Sequence, residues 1–169
     1  MKLIVMACSD TKHPDPAPMP AMERYRGPMW TTLRARLQDH PHAAEAIETG
    51  ELRVWVLSAR FGFIPASLRI PSYNTLLSCR IAADILSNPS YDAAQFCTAS
   101  RSAEETLLVG SSLYRGTMRR AAGMDGGDVL HVTETDGPGI GHHRATIGRW
   151  IAHHYSRRAT PDAERGGEL

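Results

Sequence analysis

The chain opens on an apolar run, Lys2 to Ala7 (KLIVMA), that ends in a polar cluster, the pattern of a buried strand entering a loop. From His13 to Pro20 every second residue is proline, which makes that stretch a stiff, irregular loop. Trp30, Leu33 and Leu37 then recur at helical spacing through Gln38, and Pro28 suits the first turn of such a helix. Ala43 to Ile47 reads as a further short helix ended by Gly50, and Leu52 to Leu57 (LRVWVL) as the second strand. Ser58 to Asn74 mixes glycine, prolines and aromatics, which predicts a long, ordered loop of the kind that serves function.

A helix is expected from about Leu76 to Leu86, where Asn88-Pro89 stops it, and Tyr91 to Ser102 reads as helical in part. Thr106 to Val109 is a third strand running into Gly110, followed by a helix over Leu113 to Ala122. Gly126 and Gly127 separate it from an expected fourth strand, Asp128 to Val132. Ile140, Ile147, Ile151 and Tyr155 mark one face of a last helix, with Trp150 beside them.

Strands alternating with helices predict the α/β class: a three-layer α/β/α arrangement around a mostly parallel sheet of about four strands, because parallel neighbours need a crossover. The length of 169 residues fits one such domain, placed at 1–158, with 159–169 as a disordered tail. In sheets of this kind ligands bind at the carboxyl ends of the strands. Three polar clusters fall there: Cys8 to Lys12, Ser58 to Gly62, and Gly110 to Arg115.

Composition narrows the class of partner. With 42% apolar and 22% charged residues, the chain has the make-up of a folded globular protein and excludes a disordered or fibrous one. No apolar run has the length of a membrane span, so a cytoplasmic protein with no membrane partner is expected. Cys8, Cys79 and Cys97 form neither an even set nor a Cys-x-x-Cys pair, so no disulfide framework, zinc site or cofactor follows. All but two of the 19 basic residues are arginine, and Gly137 to Thr160 carries four arginines and four histidines with no acid, a stretch able to face phosphates or simply to lie solvated.

The clusters carry the candidate chemistry. In Cys8-Ser9-Asp10-Thr11-Lys12, Asp10 can orient or deprotonate a water, while Ser9 and Lys12 can hold a substrate or its phosphate; the same residues also make an ordinary turn. Cys8 is a weak candidate nucleophile, for nothing marks a partner histidine. Ser58, Phe61 and Gly62 supply a hydroxyl, a ring and a close backbone approach; Tyr73 and Asn74 add a second ring and an amide that can read a base edge. Ser111, Ser112 and Arg115 lie where a helix N-terminus favours an anion, though the spacing is not that of a P-loop. His142-His143 and His153-His154 lack the spacing of metal ligands, and His143 with Arg144 is read instead as reaching a phosphate.

The order CSDTK, ERYRGPMW, VWVLSARFGFI, IPSYNTLL, LLVGSSLYR and GPGIG resembles a largely uncharacterised bacterial and phage domain family labelled peroxide-stress-protein-like. The resemblance covers about Leu3 to Trp150. That family is similar to the uracil-DNA-glycosylase-like domain of archaeal tRNA-guanine transglycosylase and archaeosine synthase. The resemblance implies a uracil-DNA-glycosylase-like fold and chemistry on nucleic-acid bases. Where the family carries Lys-Tyr this chain has Arg60-Phe61, and where it carries an acid after tyrosine this chain has Asn74.

Together these readings give an expected function: a metal-independent DNA glycosylase that hydrolyses the N-glycosidic bond of a modified base, with modified phage DNA as one such partner. Asp10 or Asn74 would position water; Ser9, Lys12, Ser58, Phe61, Gly62, Tyr73, Ser111, Ser112, Arg115, His143 and Arg144 would bind the substrate. A tRNA-base or nucleotide-modifying enzyme and a non-catalytic nucleic-acid-binding module are the alternatives.

Overall fold

The computed structural model describes residues 1–124 and 131–156. The first strand, β1 (Lys2–Ala7), alternates its side chains between two faces: Leu3, Val5 and Ala7 enter one core, Ile4 and Met6 the other. Then follow β2 (Met19–Pro20), α1 (Ala21–Arg24), α2 (Pro28–Asp39) and α3 (Pro41–Glu48). Pro28 and Pro41 both occupy first turns, where the missing N–H has no intrahelical acceptor to lose, and Gly50 takes φ +78° just past α3. Strand β3 (Leu52–Ser58) pairs parallel with β1.

The expected loop from Ser58 to Asn74 is a hairpin instead. Strand β4 (Gly62–Pro65) pairs antiparallel with β3, Ser58 opposite Gly62, across a three-residue turn that Gly62 closes at φ +70°. Glycine at the start of the strand and proline at its end hide it from pattern reading, yet both suit a short edge strand. Strand β5 (Arg69–Ile70) pairs with β2 in a small separate sheet. Next come α4 (Cys79–Ser87), a 3-10 turn (Pro89–Tyr91) and α5 (Ala93–Arg101), with Asn88 capping the turn as its side chain accepts from the Ser90 N–H at 3.0 Å. Strand β6 (Glu105–Val109), α6 (Ser112–Ala122), β7 (Val132–Glu134) and α7 (Ile140–Tyr155) complete the described residues. Residues 128–130 of the expected fourth strand lie outside the described residues, as does the expected tail, and the described strand lies slightly later than expected.

The main sheet has five strands in the order β4-β3-β1-β6-β7, all parallel except β4. On one face α2, α3 and α7 bury Trp30, Leu33, Ala43, Ile147 and Ile151 against Ile4, Met6, Val56 and Val109. On the other, α4, α5 and α6 bury Ile85, Phe96 and Met118 against Leu3, Val5, Leu57 and Leu108, and Phe63 of β4 stacks on Phe96 with centroids 4.2 Å apart. Helices on both faces make three layers, as expected. No helix among the described residues is long and apolar enough to cross a membrane.

This strand order fixes where a ligand crevice falls. From central β1 the chain passes to β3 by helices on one face, and from β6 to β7 by α6 on the other. The segments leaving the carboxyl ends of β1 and β6 therefore part to opposite faces, and that divergence is the topological switch point.

Candidate functional site

The switch point is spanned by one contact, Cys8 Sγ to the Tyr114 hydroxyl at 3.0 Å. Tyr114 reaches β1 because Gly110, at φ +155°, leaves no room for a side chain: a Cβ there would stand 2.8 Å from the Ala7 Cβ and 2.9 Å from the Tyr114 Cβ. Beneath β1 the Trp30 indole N–H donates to the Ala7 carbonyl at 2.9 Å and holds α2 to the strand end.

A buried chain of hydroxyls runs from the end of β3. Ser58 is fully buried, and its Oγ accepts the backbone N–H groups of Arg60 and Phe61 at 3.2 and 3.1 Å. With both lone pairs so used, its own hydrogen goes to the Tyr73 hydroxyl at 3.0 Å, and Tyr73 in turn donates to Tyr25 at 2.7 Å. Burial raises the Tyr25, Tyr73 and Tyr114 phenols above their ordinary value near 10, and nearby Cys8 raises each further. All three remain neutral hydrogen-bonding groups across the physiological range.

Two cations rest on the rings of this site. Lys12 places Nζ 4.5 Å from the centre of the Tyr73 ring, and Arg60 lies 5.7 Å from that of Phe61. Phe61 meets Tyr73 edge-on, with centroids 5.2 Å apart and planes at 83°. The Lys12 backbone is fixed by a bridge to Tyr25, flanked by hydrogen bonds from the His13 N–H to the Arg24 carbonyl and from the Arg26 N–H to the Thr11 carbonyl. Arg24, itself fully buried, donates to the carbonyls of His13, Asp15 and Ala17 and so clamps the proline-rich loop beside the site.

Of the residues expected from sequence, the structure gathers Lys12, Ser58, Phe61 and Tyr73 into one cluster. Asp10 and Asn74 are both exposed on the flanking loops; the Asp10 carbonyl accepts from Lys12 Nζ at 3.4 Å, and Asn74 follows Tyr73. Ser9 packs on Gly27, where a Cβ would collide with its Oγ. Gly62 has a structural task, since a Cβ there would meet the Tyr91 carbonyl oxygen at 2.6 Å. Ser111 caps α6 without a side-chain hydrogen bond and Ser112 begins it, both exposed.

Two expected phosphate ligands are engaged within the fold. Arg115 donates to the Gly110 carbonyl and pairs with Glu134 at 3.0 Å, tying α6 to the ends of β6 and β7. Arg144 donates from Nε to the Thr32 hydroxyl at 2.8 Å and pins α7 to α2. His143 is half-buried in the first turns of α7, and its neighbour His142 packs over Gly137.

Tyr25, Tyr114 and Arg24 were not singled out from sequence. Tyr114 sat within a cluster whose roles went to serines and an arginine, while Tyr25 and Arg24 come from a charged helix end with no apolar periodicity. The signals for the tyrosines were position, one after the proline-rich loop and one after the third strand, and their place within the motifs ERYRGPMW and LLVGSSLYR.

A cavity of about 640 Å³ lies elsewhere, against the β7 edge beneath α7, lined by Glu105, Arg149, Trp150, His153 and His154 among others. Burial, and then His153, lower the His154 pKa below its ordinary value. Among the described residues no group of three or more His, Cys, Asp or Glu is placed to hold a metal ion. No family model, no curated protein and no solved structure matches the chain.

Proposed function

We propose that the carboxyl end of the sheet receives a nucleobase and that the protein is a metal-independent DNA N-glycosidase built on a uracil-DNA-glycosylase-like fold. The observation that carries the reading is the Ser58–Tyr73–Tyr25 hydroxyl chain, with Phe61 and Lys12 against it, beside the switch point of a parallel sheet. The motif resemblance supplies the base chemistry. Neutral, buried phenols fix the rings, and rings of this kind select a flat ligand without demanding one sequence.

In such a reaction the C1′–N bond breaks, the base leaves with the electron pair and takes up a proton, and water adds to the cation-like sugar carbon. Asp10 or Asn74, both solvent-facing beside the cluster, would hold that water. Phe61 would stack the extruded base, Lys12 and the exposed Ser111 and Ser112 at the start of α6 would meet phosphates, and the half-buried His143 lies on the same end of the sheet. The reading therefore has DNA as partner and a flipped base as substrate.

Duplexes bearing uracil, alkylated bases, or hydroxymethylated and glucosylated pyrimidines test it. One of them should lose its base and leave an alkali-labile site with the wild-type protein, and Asp10→Ala or Asn74→Ala should abolish release while the fold is retained. A panel from which nothing is released would sink the glycosidase.

A non-catalytic binding module is favoured by one feature: among the described residues no carboxylate side chain belongs to the buried hydroxyl chain, and Asp10 is exposed. Tight binding of single strands without any base release would select it.

A further inference from the structure

We propose that Lys12 and Arg60 are displaceable caps: in the free protein they cover the Tyr73 and Phe61 ring faces, and an arriving phosphate draws them off, so that a base is accepted only as part of a nucleotide or strand. This rests on the reading of the site as a nucleobase site, and it adds the order in which the parts of the ligand are recognised.

The argument starts from what is free to move. The Lys12 backbone is held by its bridge to Tyr25 and by the flanking hydrogen bonds at His13 and Arg26, and the loop beyond is clamped by Arg24. Tyr73 is fixed at its hydroxyl by Ser58 and Tyr25, and its ring packs near-perpendicular to that of Phe61. Between these fixed parts, the Lys12 side chain is the soft one: Nζ has the ring at 4.5 Å, a 3.4 Å contact with the Asp10 carbonyl, and no carboxylate partner among the described residues. Arg60 is exposed and over Phe61, likewise without an ion pair among the described residues.

A base cannot stack on a ring face that an ammonium occupies. A cation on an aromatic face is weakly held where solvent reaches it, whereas a phosphate oxygen offers the same ammonium a charge-assisted hydrogen bond. Phosphate thus wins the cation and bares the ring. A neutral base or nucleoside brings no such anion and must displace the cation unaided.

The test compares the four deoxynucleosides with their 5′-monophosphates and with single-stranded oligonucleotides, using calorimetry on the wild type, Lys12→Met and Lys12→Arg. Methionine keeps the apolar stem and the backbone bridge while removing the charge, and thermal melting checks that the fold is retained. Nucleosides should bind Lys12→Met roughly three- to tenfold more tightly than wild type, while monophosphates bind it more weakly. Inorganic phosphate added first should strengthen nucleoside binding to the wild type and strengthen it less in Lys12→Met, where only Arg60 is left to draw off. Lys12→Arg should retain the wild-type order, since a guanidinium also caps a ring. If Lys12→Met weakens monophosphate binding yet leaves nucleoside binding unchanged, Lys12 is a plain phosphate ligand and the cap is overturned. If no nucleoside, monophosphate or oligonucleotide binds the wild type, the nucleobase reading itself falls and the cap with it.

Discussion

The Ser58–Tyr73–Tyr25 hydroxyl chain at the carboxyl end of the sheet and the flank beneath the second half of α7 treat their polar groups in opposite ways, although Arg24 Nε beside the chain is also buried with no partner among the described residues. At the carboxyl end, each buried hydroxyl of the Ser58–Tyr73–Tyr25 chain has a partner and the Trp30 indole N–H has the Ala7 carbonyl. Beneath α7, the indole N–H of Trp150 and the hydroxyl of Tyr155 are buried with no partner among the described residues, although a cavity of about 640 Å³ lies against Trp150. This cavity and the hydroxyl chain therefore lie apart. An enclosed hydrogen-bonded network is costly to leave half satisfied, so its completeness marks a region held to one geometry. A cavity walled by mixed charges makes no such demand.

The sharpest way to break the contrast is to force the hairpin that carries Ser58 and Phe61 out of place. Gly62→Ala would place a methyl group 2.6 Å from the Tyr91 carbonyl oxygen, at a φ of +70° that side chains rarely adopt. Strain and overpacking together should cost about 3 kcal/mol, read as a lower urea midpoint at unchanged m-value. A loss below about 1 kcal/mol would mean that the hairpin and the 3-10 turn part easily and that the carboxyl end is not rigid.

Two of the three buried tryptophans, Trp30 and Trp150, give a gentler and more direct comparison, for they differ chiefly in whether the indole N–H is used. Trp30→Phe removes ring volume and also strips the Ala7 carbonyl of its partner, so about 2 kcal/mol should be lost. Trp150→Phe removes similar volume from a residue 5% exposed but breaks no hydrogen bond, so its cost should be smaller by about 1 kcal/mol. Equal losses on denaturant unfolding would show that the Trp30 hydrogen bond adds nothing net, and the contrast between the two regions would then rest on the hydroxyls alone.

How far the sequence reveals these regions depends on whether a residue's neighbours repeat its pattern. Strands β1 and β3 and helices α2, α6 and α7 were expected within a few residues of their bounds, because each has a long face of one period buried against the sheet. Strand β4 was read as loop because only Phe63 and Ile64 are apolar between a turn glycine and an edge proline. Within the site, Ser58, Phe61, Tyr73 and Lys12 were legible because strand ends collect ligand residues in α/β sheets. Tyr25 was not, since its place in the hydroxyl chain depends on a bridge between Lys12 and the end of a four-residue helix. The structural duties of Arg115 and Arg144 were hidden for a related reason: both partners, Glu134 and Thr32, are distant in sequence.

That last distinction, between arginines engaged within the fold and cations resting on rings, sets the smallest and most selective expectation. Arg144 spends Nε on the buried Thr32 hydroxyl, joining the helices that cover one face of the sheet. Arg144→Ala should therefore lower stability by about 1 kcal/mol, the net worth of one such hydrogen bond. Its effect on nucleic-acid binding should be slight, because a guanidinium held by its inner nitrogen cannot follow a phosphate without giving up that bond. Lys12→Met and Arg60→Met should do the reverse, leaving the melting temperature nearly unchanged and reducing the slope of log affinity against log salt by about 1 each. The slope counts phosphates neutralised and is indifferent to how the base is held, so it separates charge from stacking. A drop of the same size for Arg144→Ala would mean that its outer nitrogens reach the strand while Nε stays bonded, and the cationic surface would then extend from the strand ends along the first turns of α7.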